Sequence, residues 1–120
     1  MPLSSSVSRM SALTRLQTWY ARHCNGVWEH SWGIRIESCD NPGWWVKVNL
    51  VGTPLQQRAF TEVADGVDAQ RWALGPLWLS CRVEGDTWHG AGDETKLEQI
   101  LEVFLAWAEG DVAYSPTKND

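Results

Sequence analysis

The chain has little cysteine, few positive charges in its second half and no long apolar run. Its three cysteines, Cys24, Cys39 and Cys81, are far apart and contain no Cys-x-x-Cys pair. Neither a disulfide framework nor a zinc motif is therefore expected, and a reducing compartment fits these cysteines best. No segment approaches the roughly 20 apolar residues of a membrane-spanning helix, and the start of the chain lacks a signal segment. The sequence accordingly predicts a soluble cytoplasmic protein.

Tryptophan, by contrast, is abundant, with nine among 120 residues. The hydrophobic fraction of 43% and the charged fraction of 21% are typical of a globular chain rather than a disordered one. A chain of this length normally forms one compact unit with its own core. We therefore expect a single domain over residues 1–120, with residues 1–7 and 111–120 as flexible tails.

Charge is distributed unevenly along the chain, although the net charge is only −5. Residues 1–58 carry six Lys/Arg and three Asp/Glu, whereas residues 59–120 carry four and twelve, a net charge of −8. Such an acidic half repels the nucleic acid backbone and attracts basic partners. We therefore expect no nucleic acid partner, while a purely solubilising role for the acids remains open.

Two segments, one near each end, show the three-and-four spacing of amphipathic helices. The first stops at Asn25-Gly26 and has Ser8 or Ser11 as its cap, and the last has Asp93 as its cap and Gly110 as its stop. The first apolar stripe consists of Met10, Leu13, Leu16, Tyr20 and His23 or Cys24. The second consists of Leu97, Ile100, Leu101, Phe104, Leu105 and Ala108.

Between these helices the apolar residues alternate with a period of two, which predicts strands. The first strand covers Val27–Cys39, "DNPG" turns the chain, and the second continues to Val51. Even residues face the core in both, so His30 and Trp44 point inward and Trp45 points outward. Pairing Asp40 with Trp44 leaves a three-residue loop, and a five-residue loop would preserve the same parity.

The remaining sequence predicts one weak strand and a second hairpin. The weak strand lies within residues 55–63, and "ADGVDAQRWALGP" follows it as a loop. The hairpin has its turn at residues 84–86 and a short strand through Trp88. Its inward-facing residues are Leu77, Leu79, Cys81 and Val83. Together the elements predict an α+β domain with an N-terminal helix, an antiparallel β-meander of four to five strands and a C-terminal helix. The C-terminal helix is expected to pack on one face of the sheet.

Candidate chemistry is weak throughout the chain. The run "HGAGDETK" lacks the Gly-Lys-Ser/Thr ending of a phosphate-binding loop, and its acids would repel phosphate. His30, Glu29 and His89 could form a metal or acid–base group, but adjacent strand residues face opposite ways and His30 is better explained as a core histidine. No nucleophile motif is present. We therefore expect no enzyme, catalytic residue, metal or cofactor.

Two surface features remain as candidate binding sites. Trp45 is expected on the outer face beside Arg35 and Lys47, either as a partner anchor or as a cation–π pair with one of these two residues. The last helix carries acids at intervals of four, either as a solvated face or as a recognition face for a basic target. The candidate partner-binding residues are Trp45, Glu29, Glu37, Glu94, Glu98 and Glu102.

Longer blocks of the sequence resemble a known family. "LQTWYARHCNGVWEHSWGIRIESCDNPGWWVKVNLVGT", "WLSCRVEGDTWHGAG" and "LEQILEVFLAWA" resemble the immunity protein 53 family of bacterial polymorphic-toxin systems. The resemblance covers residues 16–108 and centres on "WEHSWGI", "DNPGW" and the late "GAG". Val27 stands where a polar residue is expected, and the "DAQRWALGP" loop and the segment after Gly110 look particular to this chain.

The resemblance implies a small cytoplasmic protein that binds and blocks the effector domain of a cognate toxin. An acidic chain without a catalytic constellation suits a basic target, and a nuclease is our hypothesis for it. A small-ligand-binding or enzymatic domain that uses the Trp/His30 face of the sheet is the alternative function. A homodimer built on Trp45 and the edge strands is a third possibility.

Overall fold

The structure, a computed structural model, describes residues 10–114, with side chains through residue 109. The predicted tail at residues 1–7, and residues 115–120 of the other predicted tail, lie outside this range. The helices are α1 Ala12–His23, α2 Trp28–Ser31 and α3 Leu97–Tyr114. The strands are β1 Ile34–Cys39, β2 Gly43–Asn49, β3 Val63–Asp65, β4 Leu79–Glu84 and β5 Thr87–Gly92. Within residues 10–114, no helix is long and apolar enough to cross a membrane.

Helix α1 begins at the predicted Ser11 cap, whose Oγ accepts a hydrogen bond from the backbone N–H of Thr14 at 3.1 Å. The predicted apolar stripe is wrong in part. The residues of this helix that are buried are Ala12, Leu16 and Trp19. The stripe members that are exposed are Met10, Leu13 and Tyr20. The helix is turned in this way because Trp19 offers the largest apolar surface for burial.

The first half of the predicted strand over Val27–Cys39 is wrong, because the chain forms the short helix α2 there. The Asn25 side chain accepts hydrogen bonds from the N–H groups of Val27 and Trp28. In return, the Glu29 carboxylate accepts hydrogen bonds from the N–H groups of Asn25 and Gly26, at 2.8 and 2.6 Å. These reciprocal hydrogen bonds resemble a capping box and favour a helical turn over an extended strand.

The five strands form one antiparallel sheet in the order β1-β2-β5-β4-β3. The α+β class and the antiparallel sheet are therefore confirmed. Strand β3 follows β2 in the chain but lies at the far edge beside β4, so the order departs from a simple meander there. The weak strand predicted over residues 55–63 is wrong apart from its last residue, since β3 starts at Val63.

The first hairpin keeps the predicted parity but not the first predicted register. Ser38, not Asp40, lies opposite Trp44, which matches the five-residue loop. A slip of two residues buries the same face, so the burial pattern does not choose between the registers. Gly43 is held close to the neighbouring strand instead, because an added Cβ there would lie 2.5 Å from the Gly92 carbonyl oxygen.

The core lies between the inner face of the sheet and helices α1 and α3. The strands contribute Val46, Val48, Leu79, Cys81 and Trp88 to it, and α3 contributes Ile100, Leu101, Phe104 and Leu105. Gly90 is the point of closest approach, because an added Cβ would lie 2.5 Å from both Ile100 Cγ2 and Trp88 Cη2. The glycine therefore sets how closely α3 lies on the sheet.

Helix α3 departs from the predicted ends. It starts at Leu97 and continues past Gly110 to Tyr114, because one glycine costs a helix interior only about 1 kcal/mol. Asp93 lies four residues before the helix and is therefore not its N-cap. It fixes the preceding turn instead, since its backbone oxygen accepts a hydrogen bond from the Lys96 N–H at 3.0 Å.

The buried Asp93 side chain ties this turn to the start of β4. One carboxylate oxygen accepts from the Trp78 N–H and from Lys96 Nζ, both at 2.8 Å, and the other accepts from Thr95. Burial opposes ionisation, but the hydrogen bonds from Lys96, Thr95 and Trp78 outweigh it and hold the pKa of Asp93 well below its ordinary value. The carboxylate is therefore charged at neutral pH.

Gly90→Ala should destabilise the fold by about 1–3 kcal/mol, because the added methyl group overpacks the contact between sheet and helix. Chemical denaturation, followed by tryptophan fluorescence, measures this as a lower midpoint with an unchanged slope. Gly75→Ala is the matched control, since an added Cβ at Gly75 meets no atom within 4 Å. Equal midpoints for the two variants would contradict the packing assigned to Gly90.

Asp93→Asn should lower the free energy of unfolding at pH 7 by about 1–3 kcal/mol, because Asn cannot pair with Lys96 as a charge. The folded pKa lies below the unfolded value of about 3.9, so this stabilisation is present above that pH and is lost as pH falls below it. The difference between wild type and variant should therefore shrink below about pH 4. Asp86→Asn, at an exposed turn position, is the control, and a pH-independent difference would contradict the ionic role.

Candidate partner-binding surface

The outer face of the sheet carries the side chains that alternate with the core residues. Both long helices lie on the inner face, so no helix among the described residues packs on the outer face. Trp45 stands on this surface close to the β1–β2 turn, with Glu37 of β1 and Ala91 of β5 directly opposite it. Trp45 therefore lies among polar and charged neighbours on this surface.

Trp45 points outward as predicted, with 37% of its surface exposed. Lys47 Nζ lies 4.3 Å from the centre of its ring, so the predicted cation–π pair is formed with this residue. The His89 ring lies 6.1 Å away on the neighbouring strand. The Trp45 side chain is thus supported from two sides while part of it stays open to a partner.

His89 is more confined than the rest of the outer face. Burial lowers the pKa of His89, and the charges of Arg82 and Lys47 add to this effect against the opposing influence of Glu84. Its Nδ1 is buried without a hydrogen-bond partner among the described residues. The imidazole is therefore neutral at pH 7 and adds no charge beside Trp45.

The charges of the outer face are nearly balanced. Glu37 is exposed and lies 3.6 Å from Arg35, and Glu84 lies 2.9 Å from Arg82. With Lys47 added, the face carries three cations and two carboxylates. The acidic charge of residues 59–120 is therefore concentrated elsewhere on the molecule.

Glu29 has a structural contact rather than a free carboxylate. Hydrogen bonds from its own N–H and from the N–H groups of Asn25 and Gly26 lower the pKa of Glu29, as expected for a capping carboxylate. Its side chain therefore holds the turn between α1 and α2. It lies away from the surface that surrounds Trp45, because α2 precedes β1 at the opposite end from the β1–β2 turn.

The predicted acidic stripe of Glu94, Glu98 and Glu102 is not one continuous helical face. Glu94 precedes the helix, and its carbonyl oxygen accepts a hydrogen bond from Trp44 Nε1 at 3.1 Å. Glu102 is bound to Arg15 of α1 at 2.8 Å, and the same guanidinium also holds Glu109 at 2.8 Å. Glu94 and Glu98 remain exposed and without an ion pair among the described residues.

The most exposed apolar residues lie in a segment for which the sequence predicts only a loop. Trp72, Leu74 and Leu77 are 71%, 70% and 64% exposed. The inward position predicted for Leu77 is wrong, because β4 starts only at Leu79. One sequence signal could have identified this surface. It is a group of apolar residues that lies between turn residues and continues no helix or strand pattern.

The inward-facing Trp/His30 surface required by the alternative function is not formed. His30 lies on α2 and is exposed, so its predicted place in the core is wrong, as is that of Trp32. The predicted inward position of Cys81 is confirmed, and burial raises the pKa of its thiol to about 12. A thiol in this environment stays protonated and is a poor nucleophile.

Comparison with known proteins identifies the family of this chain. Neither curated proteins nor solved structures give a significant match. The family model described as immunity protein 53 matches residues 13–109. This range includes α2 and the strands described above, α1 from its second residue, and α3 as far as Glu109. A match of this extent covers well over half of the 120 residues. The chain therefore belongs to the immunity protein 53 family.

Proposed function

We propose that this chain is a cytoplasmic immunity protein that binds the effector domain of a cognate bacterial polymorphic toxin and neutralises it. The family match over residues 13–109 is the observation that carries this proposal. Neutralisation then proceeds by binding rather than by catalysis. Among the residues that the structure describes, no helix covers the outer sheet face, and Glu94 and Glu98 are exposed without an ion pair. Both features support a binding role.

We further propose that the toxin domain is a basic nuclease. A nuclease must hold a polyanion, so its substrate groove carries positive charge. Residues 59–120 of this chain carry a net charge of −8, and Glu94 and Glu98 expose part of it. Opposite charges of this kind accelerate association and orient the two proteins during approach.

Trp45 and Glu37 are proposed to lie within the interface on the outer face. They face each other across β1 and β2 and are both exposed. A tryptophan that neighbouring side chains already hold and that is partly open to solvent loses little freedom when a partner covers it. Glu29 and Glu102 contribute through the intramolecular contacts described above, because their carboxylates are already engaged.

The direct test is co-expression with the effector domain of the toxin encoded beside this chain. We expect growth to be rescued and the two proteins to purify together. An inactive effector variant should purify with the chain equally well, because binding does not require the toxin's activity. Absence of binding to every neighbouring effector domain would overturn the proposed function. If the chain rescues growth from an effector domain that is not a nuclease, only the nuclease assignment is overturned.

Glu98→Lys should slow association with a basic effector domain by roughly 2–10-fold at low ionic strength, with a smaller effect at high salt. Stopped-flow fluorescence measures the association rate. Asp86→Lys makes the same change of charge in the β4–β5 turn, roughly 20 Å from the Glu94 end of β5 by strand length, and is the matched control. Equal association rates for both variants at low salt would contradict electrostatic steering through the surface around Glu98.

Trp45→Ala should speed dissociation of the complex by about tenfold or more, because anchor residues act mainly on the dissociation rate. Surface plasmon resonance with immobilised effector domain measures it. Tyr20→Ala removes another exposed aromatic side chain, 38% accessible, from α1 on the other side of the sheet, and should leave the rate near that of wild type. Dissociation at the wild-type rate in Trp45→Ala would exclude Trp45 from the interface.

A further inference from the structure

The segment 66–78 between β3 and β4, here termed the Trp72 loop, presents an unusual apolar surface. Trp72, Leu74 and Leu77 are 71%, 70% and 64% exposed, and no other large apolar side chain among the described residues is as exposed. Large apolar side chains grouped on a surface indicate a contact with another molecule, whereas scattered single ones do not.

The backbone of the Trp72 loop is held by its own hydrogen bonds. Val67 and Ala73 form a β-bridge, and the Leu74 N–H donates to the Gly66 carbonyl oxygen at 2.8 Å. The Asp68 N–H donates to the Trp72 carbonyl oxygen at 2.9 Å, and Asp68 Oδ1 accepts from the Trp72 N–H at 3.0 Å. The backbone at Trp72 is therefore positioned before any partner arrives, which lowers the backbone entropy lost on binding.

Positive φ angles at two residues show that the Trp72 loop adopts an unusual backbone conformation. Gly66 has φ +73°, and an added Cβ would lie 2.4 Å from the Leu77 carbonyl oxygen, so the two ends of the loop meet at a glycine. Arg71 has φ +70°, the one positive value among the described residues other than glycine. Such backbone is unfavourable for a side-chain-bearing residue and is characteristic of sites where the loop's shape matters.

The surroundings of the Trp72 loop are acidic. A cleft of about 250 Å³ separates it from the β1–β2 turn, and Glu94 lines this cleft. Asp65 immediately precedes the loop, and both carboxylates are exposed without an ion pair among the described residues. The nearby cations are already neutralised, because Arg71 lies 3.5 Å from Glu62 and Lys96 lies 2.8 Å from the buried Asp93.

The loop is continuous with the outer face on which Trp45 stands. Trp45 lies opposite Ala91, and Ala91 lies opposite Ser80, which follows the loop by two residues. With strands about 4.8 Å apart, two strand spacings of roughly 10 Å separate Trp45 from Ser80. A single partner of ordinary interface size can therefore cover Trp45 and the Trp72 loop together.

We propose that the Trp72 loop is the principal apolar anchor of this chain for the toxin effector domain, inserted into an apolar recess that is bordered by basic residues. The apolar side chains supply the contact, and Asp65 and Glu94 select a positively charged border. This inference rests on the proposed function and identifies the part of the surface that carries most of the affinity.

The test compares Trp72→Ala and Leu74→Ala with wild type and with Tyr20→Ala, using the inactive effector domain of the neighbouring toxin and isothermal titration calorimetry. We expect Kd to rise about 30-fold or more for Trp72→Ala and about tenfold for Leu74→Ala, as for central anchor residues. Tyr20→Ala, on α1 on the other side of the sheet, should stay within about twofold of wild type. All four proteins should unfold at similar temperatures, because the three replaced side chains are exposed.

The outcomes separate this inference from the proposed function. If wild type binds and rescues growth but Trp72→Ala and Leu74→Ala bind equally well, the anchor is overturned and the proposed function stands. If wild type binds no effector domain, the proposed function itself fails. If sedimentation shows that wild type is a dimer and Trp72→Ala a monomer, a second copy covers the loop and the anchor assignment is overturned.

Discussion

Helix α3 lies against the sheet at a separation that only glycine at position 90 permits, and the arrangement of the core depends on this contact. Trp88 beside Gly90 meets the ring of Phe104 at 5.2 Å, and Phe104 meets Trp19 of α1 at 5.0 Å. Trp19 in turn meets Trp28 of α2 at 5.7 Å. Edge-on ring contacts therefore extend from the sheet through α3, α1 and α2, and they occupy one face of the sheet, while no helix within residues 10–114 covers the other face.

The same packing decides where charge is available to a partner. Because α1 lies beside α3, Arg15 reaches Glu102 and Glu109 and neutralises acids that would otherwise face solvent. Glu94 and Asp65, which form no ion pair among the described residues, remain near the end of the sheet where the β1–β2 turn and the Trp72 loop meet. Apolar and acidic features thus coincide at one end of the molecule, and the proposed recognition of a basic protein rests on this coincidence.

Odd and even positions correctly predicted which way the side chains face where a strand is regular. In β2 they placed Val46 and Val48 in the core and Trp45 outside, because the face of a strand side chain depends only on odd or even position. They failed from Trp28 to Trp32, where apolar residues alternate equally well but hydrogen bonds to Asn25 and Glu29 stabilise a helical turn. A local side-chain contact with the backbone outweighed the hydrophobic pattern there.

The sequence by itself determined the α+β class, the main helices, the faces of β2 and the family resemblance, because each depends on residues close together in the chain. Only the tertiary structure decided the rest of the candidate surface. The pairing of Arg15 with Glu102 joins residues 87 positions apart, and no local pattern encodes it. The exposure of Trp72 and Leu77 likewise follows from the position of their loop outside the core, which depends on how the strands assemble rather than on hydrophobicity alone.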